Sequence, residues 1–427
     1  MKNQILVKVA SLFIITSYFL GFVIKEDSSG GGQVDYAAIV NNFKLFQESD
    51  LLKIDWSRYI SSSLPIYYII SKYIIPTNYS FFFYSGYFSF FISISAILIT
   101  YKFLCIKNKI QSFNWEVLLI AVIPMLSPFF RTSAFWSLEE NIGYFFFSLT
   151  ILFFIKSRDG DGNKYKYLAI LSSCLAFYAR QNYAFLPIII FFSYFNKKNI
   201  LEKKNIIYSF LFTLILSPSL FFFFKWGGLM PQIDEINNSR IGFQRENILI
   251  ILTNFFLYLF PFCIFLNYQN IIKILNKKKI EIFIIFLIIL FLFIYIFFNH
   301  ISKDSLYFKI QLGGGIIYKF IFFYNYWIAS FNIQKILYIL IALFGLILII
   351  FFSKNNKNFF IFSFISIIIF SNISIIFQEY FDPLIYFSII FFTNIVKFNK
   401  SSVYKKLFFT VYFLLILLVF YYFKIII

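Results

Sequence analysis

Apolar runs recur along this chain near 5–24, 79–104, 114–130, 141–156, 167–179, 182–195, 206–224, 248–267, 281–298, 334–352, 359–377, 384–396 and 406–423, separated by short polar intervals. Uncharged apolar stretches approaching ~20 residues predict helices that cross a bilayer. The pattern therefore predicts an all-α, polytopic transmembrane helical bundle of about 13 spans, some of them short and broken, within a single integral membrane domain over 1–427. The first run is too long for a signal-peptide core and lacks a small-residue cleavage site, so it is expected to stay as a helix. The block 167–195 is interrupted by Arg180-Gln181-Asn182. Three such residues do not sit in lipid without a partner or water, so two short helices meeting at a polar tip are expected there.

The interval between the first two spans, 25–78, is the long polar stretch of the chain. Within it, Tyr36, Ile39, Val40, Phe43 and Phe46 share one helical face, with Asn41, Asn42, Lys44 and Gln47 opposite, which predicts a surface helix rather than a span. Residues 64–76 are apolar but short and contain Ser71 and Lys72, so they predict a second surface helix. The rest, 79–427, forms the helix bundle.

Composition agrees. The chain is 60% hydrophobic and 13% charged, with mean hydropathy +0.80, about half the charge density of a soluble domain. The net charge of +19 would suggest nucleic acid in a soluble protein, but its placement is topological. With a cytoplasmic N-terminus, the inside loops and Lys2 hold 22 of the 38 Lys and Arg, while the outside loops hold 14 of the 19 acids. That is the positive-inside pattern. It predicts an integral membrane protein, of a bacterial inner membrane, with its polar site on the periplasmic or lumenal face. Three distant Cys and one His exclude a Cys/His zinc site. No inside loop is long enough to fold a nucleotide-binding domain, and Gly313-Gly314-Gly315 lacks the setting of a phosphate loop.

The candidate residues gather on the expected outside face. Asp35, beside the glycine run Gly30-Gly31-Gly32, either caps the surface helix or acts as a general base. Glu139 and Glu140, after Trp136, either favour a helix start or bind sugar hydroxyls. Arg180 with Gln181 and Asn182 is either a functional intramembrane cation or the partner of Glu139 or Glu140. Trp226 with Gly227-Gly228, Arg245, and Lys309 with nearby His300, Lys303 and Lys319 suggest contacts to an anion, the last group as a backbone nest.

These islands resemble the GT-C class of membrane glycosyltransferases, which draw sugars from polyprenyl-phosphate carriers. The likeness rests on Asp35 in the first outside loop and on the Pro-containing aromatic stretch Ser61 to Tyr68. Phe177-Tyr178-Ala179-Arg180-Gln181-Asn182 is similar to the Arg-Gln-Thr-Asn segment of the dolichyl-phosphoglucose α-1,2-glucosyltransferases, without its Thr. Trp226-Gly227-Gly228-Leu229 and Tyr380-Phe381-Asp382-Pro383 look like segments of bacterial relatives. The resemblance implies an inverting transfer from a polyprenyl-phosphate-sugar donor to a lipid-linked or cell-surface glycan. Asp35 would be the catalytic base; Glu139, Glu140, Arg180, Gln181, Asn182, Trp226, Arg245 and Lys309 would bind substrate. No cofactor is implied with certainty, a divalent cation being optional and without a clear ligand set. The competing classes are a polysaccharide polymerase, which would not need Asp35, and a lipid-glycan transporter or flippase, which would place polar groups through the span interiors.

Overall fold

A computed structural model describes residues 2–59, 61, 63–75, 81–158, 162–195, 202–226, 244–265, 290–303, 305, 307–308, 313–323, 330–354, 356–373, 375–393 and 402–426. Among these residues every extended run of regular structure is helical. Six helices are long and apolar enough to cross a membrane: Gln4–Val23, Tyr84–Lys107, Lys203–Trp226, Arg245–Phe265, Phe331–Ser353 and Val403–Tyr421. A seventh span is reached if the pair Trp115–Leu126 and Pro128–Phe135, bent by 74°, counts as one. The chain is thus a helical membrane protein, but the described residues carry six or seven candidate spans where the apolar runs predict about 13. Several predicted spans are short helices instead, such as Leu384–Phe392, and part of the 281–298 run lies outside the described residues.

The chain forms two compact units, Met1–Asn238 with Lys406–Ile427, and Ser239–Lys405, where the sequence pattern suggests one domain. The first contains α1 (Lys2–Val23), α2 (Gly32–Glu48), α3 (Ile66–Ile74), α4 (Phe81–Lys107), α5 (Trp115–Val122), α6 (Pro128–Phe135), α7 (Glu140–Arg158), α8 (Asn163–Ala179), α9 (Phe185–Tyr194) and α10 (Lys203–Trp226). In α4, Ser85, Ser89, Ser93, Ala96 and Thr100 repeat at helical spacing and are buried. Ser93 accepts from Asn141 Nδ2 at 2.6 Å, and Thr100 meets Ser148 at 3.2 Å. Small hydroxylated residues let two helices approach and satisfy each other in an apolar surround, so α4 and α7 run side by side in the same direction. The kink before α6 follows from Pro124 and Pro128, which lack the amide that would continue a helix. Ser127 then caps α6 by accepting from Phe130 N at 3.0 Å. Arg180, with extended backbone (φ −153°, ψ 132°), ends α8, and a tight 3₁₀ turn, Gln181–Ala184, leads into α9. That break falls on the polar tip that the sequence pattern predicts.

The second unit holds α11 (Arg245–Leu259), α12 (Gly315–Phe322), α13 (Phe331–Ser353), α14 (Lys357–Ser371) and α15 (Leu384–Phe392). The last helix, α16 (Val403–Ile426), begins in it and continues in the first unit. Helices α11 and α13 touch at Gly345, where a Cβ would lie 2.0 Å from the Leu252 carbonyl oxygen. Gly313, Gly314 and Gly315 all have positive φ, between 74° and 80°, a run that L side chains resist. The turn they make is closed: Gly314 N donates to Ile376 O at 2.8 Å and Ile316 N to Gln378 Oε1 at 2.7 Å. These two amides are therefore used within the unit, while residues 309–312, where the backbone nest is expected, lie outside the described residues.

Candidate functional site

The polar residues of the first unit converge on the turn between α6 and α7. Its hub is Ser137, a non-glycine residue at φ 60°, whose hydroxyl donates to Ser85 Oγ at 2.9 Å and whose carbonyl accepts from Tyr67 Oη at 2.9 Å. The neighbouring carboxylates face different ways. Glu139 is buried and accepts from Ser61 Oγ at 3.0 Å and from Tyr68 Oη; Tyr68 Oη in turn accepts from Asn42 Nδ2 at 3.2 Å. Glu140 pairs with Arg180 and accepts from Ser133 Oγ at 3.0 Å. Of the two acids named as possible partners of Arg180, Glu140 is the one paired with it.

The first loop is sewn onto this turn. Glu26 and Arg131 form a buried ion pair in which Arg131 Nε donates to Glu26 Oε1 at 2.8 Å. Further donations from Arg131 to Met125 O at 3.2 Å and Ser17 O at 3.0 Å leave its charge fully engaged. Asp27 accepts from Gly30 N at 3.0 Å, Gly32 N at 3.2 Å and Thr132 Oγ1 at 3.3 Å. Asp27 rather than Asp35 therefore serves the amides that open α2. Asp35 is exposed in the first turn of α2, whose N-cap position is Gly31. Next to it, Tyr36 packs its ring on Trp136, centroids 6.3 Å apart. Burial pushes the Tyr36 phenol up to about 12, a hydrogen bond with Ser85 opposing the shift. The helix that carries Asp35 and the turn that leads into Glu140 thus meet through Tyr36 and Trp136.

The amphipathic reading of α2 needs one correction. Ile39, Phe43 and Phe46 are buried as expected, but Asn42, assigned to the wet face, is buried with them and holds Tyr68. Phe46 stacks on Tyr68 at 5.5 Å, Tyr59 meets Tyr68 edge-on at 5.7 Å, and Trp226 stacks on Tyr59 at 6.3 Å. Trp226 is accordingly a packing residue of this aromatic cluster. Burial, aided by the Glu139 carboxylate, drives the Tyr59 and Tyr68 phenols well above their ordinary range, so both stay neutral donors.

Gln181 and Asn182 are half-buried in the turn after Arg180. Beside that turn an apolar cleft of about 440 Å³ opens between α8–α9 and α10, lined by Phe177, Ala184, Pro187, Ile188, Phe191 and Phe212 among others. Arg245 belongs to the second unit, exposed at the start of α11, and Lys309 lies outside the described residues. Among the described residues no three His, Cys, Asp or Glu side chains converge as metal ligands. Sequence reasoning missed Glu26, Asp27, Asn42 and Tyr68. Only Glu26 left a signal: an acid just past an apolar span, with a lone Arg inside a later one.

No family model, curated protein or solved structure matches this chain.

Proposed function

We propose that the protein is an integral membrane glycosyltransferase, moving a sugar from a polyprenyl-phosphate donor to a lipid-linked or cell-surface glycan on the periplasmic or lumenal face. The observation that carries this reading is an apolar cleft lined by Phe177 and Ala184, the residues three before and four after Arg180, which itself pairs with Glu140. A lipid-linked phosphate needs that combination: an apolar surface for its chain and a cation for its head. In this reading the Arg180 guanidinium meets the phosphate, oriented by its pair with Glu140. Glu139, locked by Ser61 and Tyr68, positions the turn rather than reaching substrate. Asp35 accepts the proton of the acceptor hydroxyl as that oxygen attacks the anomeric carbon. The bond from that carbon to the phosphate oxygen breaks, and its electron pair leaves with the polyprenyl phosphate. Charge grows on the phosphate as the bond breaks, so a fixed cation binds the transition state better than the ground state.

The test is mass spectrometry of cell-surface glycans and lipid-linked sugars with Asp35→Asn and Arg180→Ala. Each variant should slow transfer on the order of 10²- to 10⁴-fold, with loss of one sugar residue and accumulation of its polyprenyl-phosphate donor. Unchanged glycans at normal protein levels would refute the reading. Activity surviving Asp35→Asn alone would point to a polymerase.

A further inference from the structure

In the second unit, basic side chains from three separate segments gather around the short 3₁₀ turn Phe298–His300. Arg245 Nη1, from the start of α11, lies 2.8 Å from His300 Nε2. A guanidinium can only donate, so that nitrogen accepts and the imidazole is neutral in this contact. Lys335, in the first turn of α13, donates to Phe298 O at 3.3 Å and sits over the Phe298 ring, 4.8 Å from its centroid. Lys335 and the exposed Lys303 also share the Phe331 ring, at 4.9 and 5.3 Å, so their ammonium groups are at most about 10 Å apart. None of the four is within ion-pair distance of a described carboxylate. The acid beside Arg245 is Glu246, which is buried and accepts from Tyr318 Oη at 2.9 Å; its field reaches Lys335, but its oxygens are turned inward.

The two ammonium groups, at most about 10 Å apart, repel one another. Arg245, Lys303 and Lys335 are fixed by a neutral imidazole, a carbonyl and aromatic faces, and among the described residues no carboxylate forms an ion pair with them; Glu246 acts on Lys335 only at a distance. We infer that Arg245, His300, Lys303 and Lys335 form a binding site for a phosphate-class anion, either a soluble phosphate or the headgroup of an anionic lipid. Arg245 supplies the planar fork that matches two phosphate oxygens, while Lys303 and Lys335 supply point charges on one flank. His300 keeps the guanidinium aimed without neutralising it. The inference concerns the second unit alone and stands whether or not the transferase reading holds.

The experiment uses the full chain in phosphatidylcholine nanodiscs, titrated with inorganic phosphate and pyrophosphate against chloride at matched ionic strength. Alongside, native mass spectrometry measures retention of phosphatidylglycerol against phosphatidylcholine on detergent-solubilised protein. Saturable binding in one of the two arms is expected, and which arm responds identifies the source of the phosphate. Lys303→Gln and Lys335→Gln should each weaken it about tenfold or more, Lys335→Arg should restore it, and Arg158→Gln in the first unit should leave it unchanged. Lys303 is exposed, so its variant keeps the fold intact. No saturation beyond chloride in the first arm together with no lipid preference in the second would overturn the proposal. So would binding that ignores both lysine substitutions.

Discussion

At Arg180 one guanidinium serves two purposes, and stability measurements separate them. Its side chain and that of Glu140 are 13% and 15% exposed, between a surface pair and a buried one. Exposed pairs contribute up to ~1 kcal/mol, whereas stripping one member from a buried pair costs ~3–5 kcal/mol, because the survivor keeps an uncompensated charge. Arg180→Ala should therefore destabilise the protein by about 2–4 kcal/mol in thermal or denaturant unfolding. Adding Glu140→Ala should recover part of that loss, since it removes the orphaned carboxylate. Additive losses would show that the two side chains do not interact in the native state. The recovered double variant should still lack transferase activity, because it has lost the cation proposed to hold phosphate. Arg131 behaves differently: Glu26, Met125 and Ser17 consume its donors, so its substitution should fail by unfolding and say nothing about chemistry.

Among the elements, α11 and α13 give the sharpest packing test. A methyl at Gly345 would sit 2.0 Å from a backbone oxygen of Leu252, and a backbone oxygen cannot rotate away as a side chain can. Gly345→Ala should force the helices apart at a cost of about 1–3 kcal/mol or more, seen as a lowered unfolding midpoint of the purified protein. A variant as stable as the parent would mean that the two helices pack less closely. Nothing in the sequence singles out this glycine, since its role depends on which helix lies opposite. The same holds for Asn42, whose place on α2 reads as wet until Tyr68 and Glu139 are in view. Local signals were legible: the break at Arg180, the short α3, and the helix start at Glu139 and Glu140; the kink before α6, which Pro124 and Pro128 carry, went unread because 114–130 reads as one apolar run. Span number was not legible either. An apolar run of a dozen residues has the same composition whether it crosses a bilayer with its neighbour, bends inside it as Trp115–Phe135 does, or packs as a short piece such as α15.

Across the first unit, the polar residues sort to two ends of the same helices. In α4, Ser85 touches the α6–α7 turn, while Lys107 stands 22 residues further on. At 1.5 Å per residue that is about 33 Å, close to the ~30 Å hydrocarbon thickness of a bilayer. Helix α7 repeats the arrangement, with Glu140 at the turn and Lys156 and Arg158 in its last turn. Glu139, Glu140 and Arg180 thus occupy one end, and the other holds lysine-rich termini with Glu116 paired to Lys406, a bias toward cations at one end of the kind that the positive-inside rule turns into an orientation. The consequence is measurable. Val34, 76% exposed beside Asp35, and Lys109, exposed just past α4, should face opposite sides of the membrane. In a background with Cys105, Cys174 and Cys263 replaced by Ser, Val34→Cys in intact cells should react with a membrane-impermeant maleimide. Lys109→Cys should react only after the membrane is opened. Labelling of both from one side would place the Asp35 end and the lysine end in the same compartment. The reading of α4 as a membrane span would then be ruled out, because a helix that crosses a bilayer holds its two termini on opposite sides of it.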